Sequence, residues 1–378
     1  MLNRAALDTL FSSMYRRTFL SAPIFASVAP VAWAAPGVST VQADGDGIHH
    51  TPAEYADLLQ RISAKIEADE YSRGGVVARL EESIASALGK ETAIWVSTGT
   101  LANHLAVRIL AGDKRRVLVQ EQSHLYNDCG DCCQTLSGIT LVPLGPEKAT
   151  FTIDDLEREA ERSASGRVAA PIGAIQIESP VRRKAGEVFS FAEMKRISEW
   201  ARSRGIALHL DGARLYLASA YSGIPVREYA ALFDTVYISM YKYFNAASGA
   251  ILAGPKSLLD NLFHARRMFG NGLSQVWPFA AVALHYFQGF PERYARAVAT
   301  SEKVIQTLQT DSRFEVTRVP NGTNIFYLRP KGIDPQMFQK RAAEAGFVFR
   351  ATRTDRFTVL VNETWGRATA EELLARLV

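Results

Sequence analysis

Four short segments carry residue types that could do chemistry on a small molecule if the fold brought them together. Residues 206–216 (IALHLDGARLY) run from an apolar, strand-like stretch into Asp211, Gly212 and Arg214. Residues 234–254 (DTVYISMYKYFNAASGAILAG) read as a strand, a polar break that holds Lys242, a run of small residues and a second strand. Residues 94–107 (IWVSTGTLANHLAV) give a strand ending in Ser97-Thr98-Gly99-Thr100, followed by a helix. Gln122-Ser123-His124 comes just after a strand expected to end near Gln120. There is no GxGxxG after a strand and no GxxxxGK[ST], so dinucleotide and P-loop chemistry have little to stand on.

The chemistry of these groups converges on one cofactor. Open α/β sheets bind ligands at the carboxyl ends of their strands. A carboxylate there, Asp211, can keep a pyridine nitrogen protonated, so that a pyridoxal ring draws off negative charge from an amino acid's Cα. Lys242, desolvated at the same edge, can form a Schiff base. The helix N-terminus at Thr98-Gly99-Thr100 suits a phosphate monoester, and His124 can stack on a ring or move a proton. Taken singly, each has an ordinary alternative: a turn, a solvated loop lysine, a capped helix, a structural histidine. Their order along one expected sheet edge points to pyridoxal 5'-phosphate (PLP).

Positioning these residues requires a mainly parallel sheet covered by helices, and from about residue 51 strand-like runs do alternate with amphipathic helices. Strands are expected at 93–96, 116–120, 172–177, 206–210, 235–239 and 249–253, with a helix over 191–204. After Gly289-Phe290-Pro291 a long helix to about Thr310 opens a smaller α+β region, with strands at 314–318, 324–328, 347–349 and 357–361, a helix over 335–345 and a last helix from Thr369. The expected division is a PLP-binding α/β domain over 51–290 and a small C-terminal domain over 291–378, preceded by a linker over 35–50.

The chain has 378 residues, 47% hydrophobic and 22% charged, as an ordinary globular protein has. Beyond residue 34 it holds 40 basic and 38 acidic residues, a balance that does not suggest nucleic acid. Residues 1–34 read as a signal peptide: Arg16-Arg17 leads into an apolar run from Phe19 to Trp33, with Ala32-Trp33-Ala34 as a cleavage site. MYRRTFLS (14–21) looks like a twin-arginine export signal, which places the mature protein in a bacterial periplasm without stable membrane insertion. The alternatives are an uncleaved anchor or a misassigned start, with Met14 a possible true initiator, and if the segment is no signal the location is cytoplasmic. Cys129, Cys132 and Cys133 are too few for a disulfide framework or a zinc site and are expected as small residues on a buried helix, a redox pair being the alternative. No metal ligand set is expected.

The order and local sequences resemble the threonine aldolase and aromatic amino acid beta-eliminating lyase group of fold-type-I PLP enzymes, over roughly residues 45–378. The resemblance implies that Thr98, Gly99 and Thr100 bind the phosphate, His124 stacks on the ring, Asp211 and Arg214 are the D-G-A-R pair, and Lys242 is the Schiff-base lysine. It also implies that Arg267, in HARRMFGNG, reaches the cofactor of a neighbouring subunit in a homodimer or homotetramer. Departures lie in the substrate half. The family's R-S-D-T is Asp44-Gly45-Asp46-Gly47, its S-K-G is Tyr241-Lys242-Tyr243, and its C-terminal carboxylate-binding arginine falls near Thr358, with Arg353 or Arg356 as substitutes. The implied activity is cleavage of a β-hydroxy amino acid to glycine and an aldehyde, with Arg214 on the substrate carboxylate and His124 as base. β-Elimination, with Tyr71 at the substrate as acid, is the alternative, and a non-catalytic periplasmic binding protein is a second.

Overall fold

The computed structural model describes residues 39–377, which form one compact unit; the leader expected over residues 1–34 lies outside them. In chain order the strands are β1 (Val41–Gln42), β2 (Thr92–Val96), β3 (Arg116–Gln120), β4 (Thr140–Leu144), β5 (Ile172–Glu178), β6 (Ala207–Asp211), β7 (Thr235–Ser239), β8 (Ala250–Gly254), β9 (Phe314–Arg318), β10 (Ile325–Pro330), β11 (Phe347–Val348) and β12 (Phe357–Leu360). Seven of them form the central sheet in the order β2-β8-β7-β6-β5-β3-β4. β8 runs antiparallel to both its neighbours, and the other pairings are parallel. Every residue of β5, β7 and β8 is buried, which is why these segments read as unbroken apolar runs rather than alternating ones.

This topology is what gathers the chemistry. β2, β3, β5, β6 and β7 all point the same way, so their carboxyl ends share one edge. The connection from β7 to β8 turns over that edge as well. Thr98-Gly99, His124, Glu178, Asp211 and Lys242 therefore emerge side by side although the chain spreads them over about 145 positions. The helix Gly99–Ala111 starts where β2 ends, with the Thr98 hydroxyl accepting from the Leu101 amide at 3.1 Å as its cap.

Expected strands match those observed to within a residue or two. The helices expected over 191–204 and after 289 are Phe191–Ser203 and Phe290–Thr310. The C-terminal region forms a three-stranded antiparallel sheet, β12-β10-β9. One apolar cluster runs from the central sheet into this one, joining Ile177 and Leu210 to Phe326 and Val359. Residues 41–48, expected as linker, are corrected: β1 pairs in parallel with β11, and the Asn362 side chain donates to the carbonyls of Gln42, Asp44 and Gly45. The segment then passes over the lysine loop so closely that a Cβ at Gly47 would meet the Lys242 carbonyl oxygen at 2.2 Å. Among the described residues no helix is long and apolar enough to cross a membrane.

Candidate active site

A cavity of about 260 Å³ opens at the carboxyl edge of the sheet, lined by Gly99, His124, Glu178, Arg182, Asp211, Ala213, Arg214, Tyr237, Tyr241 and Lys242. Lys242 is held in place by its neighbours in sequence. Tyr243 and Phe244 are fully buried, packed among Tyr216, Phe287 and Phe290 with ring centroids 4.6–6.1 Å apart, so the backbone on the C-terminal side of the lysine is anchored. The amine donates to the Tyr241 hydroxyl at 3.5 Å. Burial, and then the Arg214 cation, pull its pKa down to about 8.

Asp211 is 2% exposed at the end of β6. One carboxylate oxygen accepts from Asn103 Nδ2 at 2.6 Å and the other from the Ala213 amide at 3.1 Å. The Asn103 oxygen in turn meets His209 Nε2 at 2.8 Å, and His209 Nδ1 meets the Thr235 hydroxyl at 2.9 Å. Burial pushes His209 down to about 4, so the ring is neutral, and with Asn103 presenting its oxygen the proton sits on Nε2. This buried chain orients Asp211 and gives it no cationic partner among the described residues.

Arg214 donates from Nε to Asp46 at 2.8 Å, and Asp46 also accepts from Asn324 at 3.3 Å. The backbone amides of His124 and Arg182 donate to the two oxygens of Glu178, at 2.5 and 2.9 Å. Burial, reinforced by the Asp211 charge, raises Glu178 to about 7. The His124 ring contacts Cys129 Sγ through Nδ1 at 3.3 Å, and this contact is the main reason its pKa is raised. The expectation for the cysteines is corrected here. Cys132 and Cys133 lie on the short helix Cys132–Ser137 and only Cys133 is buried, whereas Cys129 precedes the helix and touches the His124 ring.

Of the residues expected at the site, Lys242, Asp211, His124, Arg214 and Gly99 line one cavity. Thr98 is used as the helix cap, and Thr100 lies 3.7 Å from the Cys129 thiol. Tyr71 and Arg267 do not line the cavity: they stack on each other, 5.5 Å from guanidinium to ring, on an exposed surface. Arg356 lies over the Tyr327 ring at 4.3 Å, and neither it nor Arg353 lines the cavity. Asn103, His209, Asp46, Glu178, Arg182, Tyr237, Tyr241 and Cys129 are not among the site residues that the sequence predicts. His209 carried a signal, since two positions before Asp211 on a strand is the same face. Asp46 carried another, as the acid of the family's R-S-D-T.

The donor set fits PLP. A buried carboxylate with no ion-pair partner among the described residues is costly, and a protonated ring nitrogen would supply one. The amides of Gly99 and Thr100 lie in the first helical turn, where they have no intrahelical acceptor. Only glycine fits at 99, because a Cβ there would fall 2.0 Å from the Tyr237 hydroxyl.

The family model described as beta-eliminating lyase matches residues 51–330. The chain is 29% identical to the low specificity L-threonine aldolase of Saccharomyces cerevisiae over 232 residues, 61% of this chain and 59% of that enzyme, so the match spans less than two thirds of it. It is 30% identical to aldolase vrtJ of Penicillium aethiopicum over 334 residues, 85% of this chain and 82% of that one. A crystal structure from Listeria monocytogenes, provisionally assigned as an L-allo-threonine aldolase, superposes with a TM-score of 0.73 at 28% identity, covering 90% of this chain and 96% of that one. With this fold, this sheet edge and these relatives, the chain belongs to the beta-eliminating lyase family that includes the threonine aldolases.

Proposed function

We propose that this chain is a PLP-dependent lyase that cleaves a β-hydroxy amino acid, with threonine as the reference substrate, to glycine and an aldehyde. The observation that carries the reading is the convergence of Lys242, Asp211, Arg214 and His124 on one cavity, with relatives that are threonine aldolases. When bound, PLP supplies an electron sink for negative charge at the substrate's Cα. Lys242, with its pKa brought down to about 8, would hold the cofactor covalently, its neutral amine being accessible near physiological pH for the attachment. Asp211 would keep the proton on the ring nitrogen, and the Gly99 helix terminus would receive the phosphate. Arg214, fixed through Nε by Asp46, has its other nitrogens available for the substrate carboxylate. His124 takes the proton of the β-hydroxyl as the Cα–Cβ bond breaks to release the aldehyde. A proton returned to Cα completes glycine.

The lowered pKa of Lys242 favours β-elimination as the second reading, because a neutral amine can take the Cα proton. The phenol beside it is Tyr241 rather than Tyr71. Incubating the purified protein with PLP and threonine tests the choice. Glycine and acetaldehyde in equal amounts, absent with Lys242→Ala, are expected. Loss of a β-leaving group from substituted serines without aldol cleavage would favour elimination, and no turnover of either kind would favour a binding role.

Two further parts of the proposal concern the whole protein. The exposed Tyr71, Met268 and Leu273 beside Arg267 support a homo-oligomer in which this surface meets a second subunit. The Arg16-Arg17 motif and the apolar run behind it support twin-arginine export, which fractionation of cells making the full chain would test.

A further inference from the structure

We infer that Cys129 is a positioning residue for His124: its sulfur holds the ring through Nδ1 and fixes the tautomer that leaves Nε2 as the proton acceptor in the cavity. The inference rests on the lyase reading for its catalytic meaning and on geometry for the contact itself. His124 opens the short helix His124–Asn127. Its main chain is well held, the amide by Glu178 at 2.5 Å and the carbonyl by the Asp128 amide at 2.8 Å. The ring is held differently: among the described residues its hydrogen-bond contact is Cys129 Sγ, 3.3 Å from Nδ1.

The direction of that bond follows from the thiol's other neighbours. Cys129 Sγ donates to the Thr100 hydroxyl at 3.7 Å. The Cys132 thiol beside it and its own burial push the Cys129 pKa well up, so the sulfur keeps its one proton. With that proton directed at the Thr100 hydroxyl or the Cys132 sulfur and not at the ring, the sulfur accepts from the histidine. Nδ1 then carries the ring hydrogen, and in the neutral imidazole Nε2 is free to receive one. The reverse arrangement, S–H pointing at Nδ1, would place the hydrogen on Nε2 and leave no base facing the substrate. Thr100 stands in the first turn of the helix expected to hold the phosphate, so the thiol ties the ring's orientation to that turn.

The other charged groups around His124 work in both directions. Asp211 raises its pKa, Lys242 lowers it, Glu178 is bonded to its amide, and the Asp128 carboxylate nearby is paired with Arg182 at 2.5 Å and Arg183 at 3.3 Å. Cys129 is the largest single contributor, so removing it displaces the titration of His124 to lower pH.

The test compares the full chain with Cys129→Ala and Cys129→Ser variants, with and without PLP. The rate of carbethoxylation of His124 by diethyl pyrocarbonate, followed by mass spectrometry across pH, reads the neutral imidazole independently of turnover. In Cys129→Ala the midpoint moves to lower pH and kcat/KM for threonine falls by about tenfold or more, toward the loss of a general base. In Cys129→Ser, whose hydroxyl can donate to Thr100 and accept from Nδ1, both are largely restored. An unchanged His124 midpoint in Cys129→Ala would overturn the inference. So would a serine variant as impaired as the alanine one, which also decides the matter if the alanine variant does not fold. If the unsubstituted protein leaves threonine intact, the lyase reading fails, while the carbethoxylation curves still report on the contact.

Discussion

Burial beside the Arg214 cation strips solvation from the ammonium form of Lys242 and brings its pKa from 10.5 to about 8. The sign gives a measurable pH dependence: a neutral amine is the reactive form, so capture of added PLP should accelerate as pH rises through about 8. Replacing Arg214 with Met removes a cation that disfavours the ammonium, and the midpoint should move upward. A stopped-flow midpoint near 10.5 in the unsubstituted protein would show that the lysine is solvated. Lys242, Asp211 and His124 were legible in the sequence because each stands where an apolar run gives way to polar residues. The groups that tune them were not, because contact depends on strand order. Asn103 is 108 positions from Asp211, and Asp46 is 168 from Arg214. No local pattern encodes such pairings, and Cys129 in particular reads in DCGDCC as part of a cysteine cluster rather than as a partner of His124.

At the level of elements, the site depends on how firmly the loops at the carboxyl edge are anchored. Phe244 packs its ring against Tyr216, Tyr243, Phe287 and Phe290, tying the lysine loop to the start of the helix Phe290–Thr310. Phe244→Ala should cost about 3–5 kcal/mol of stability, read as a lower urea midpoint. A loss below about 1 kcal/mol would mean that the loop is held by something else. Most elements were readable because buried parallel strands are continuous apolar runs and the helices carry a helical period. β4 does not stand out as a strand because Pro143 interrupts its pattern. Its position explains the proline: β4 is the edge of the sheet, where a residue that cannot donate a ladder hydrogen bond is tolerated. The segment 41–48 reads as a linker in the sequence because β1 is only two residues long and its partner β11 lies some 300 positions away.

At the scale of the whole molecule, Tyr71 and Arg267 stand together outside the cavity of their own chain, on a surface with exposed Met268 and Leu273. If that surface completes the site of a second subunit, Lys242→Ala and Arg267→Ala chains, each inactive alone, should regain activity when refolded as a mixture. Two inactive proteins that stay inactive after verified subunit exchange would place Arg267 outside the chemistry. The proposed chemistry depends on the amine of Lys242 being the attachment point of PLP. The decisive experiment adds PLP to the purified protein, reduces with borohydride and maps the product by mass spectrometry. A visible absorption band that disappears on reduction, with the pyridoxyl mass fixed on the peptide containing Lys242 and absent from Lys242→Ala, is the expected result. No band, or label spread over surface lysines with Lys242 untouched, would refute the assignment of this cavity as a PLP site.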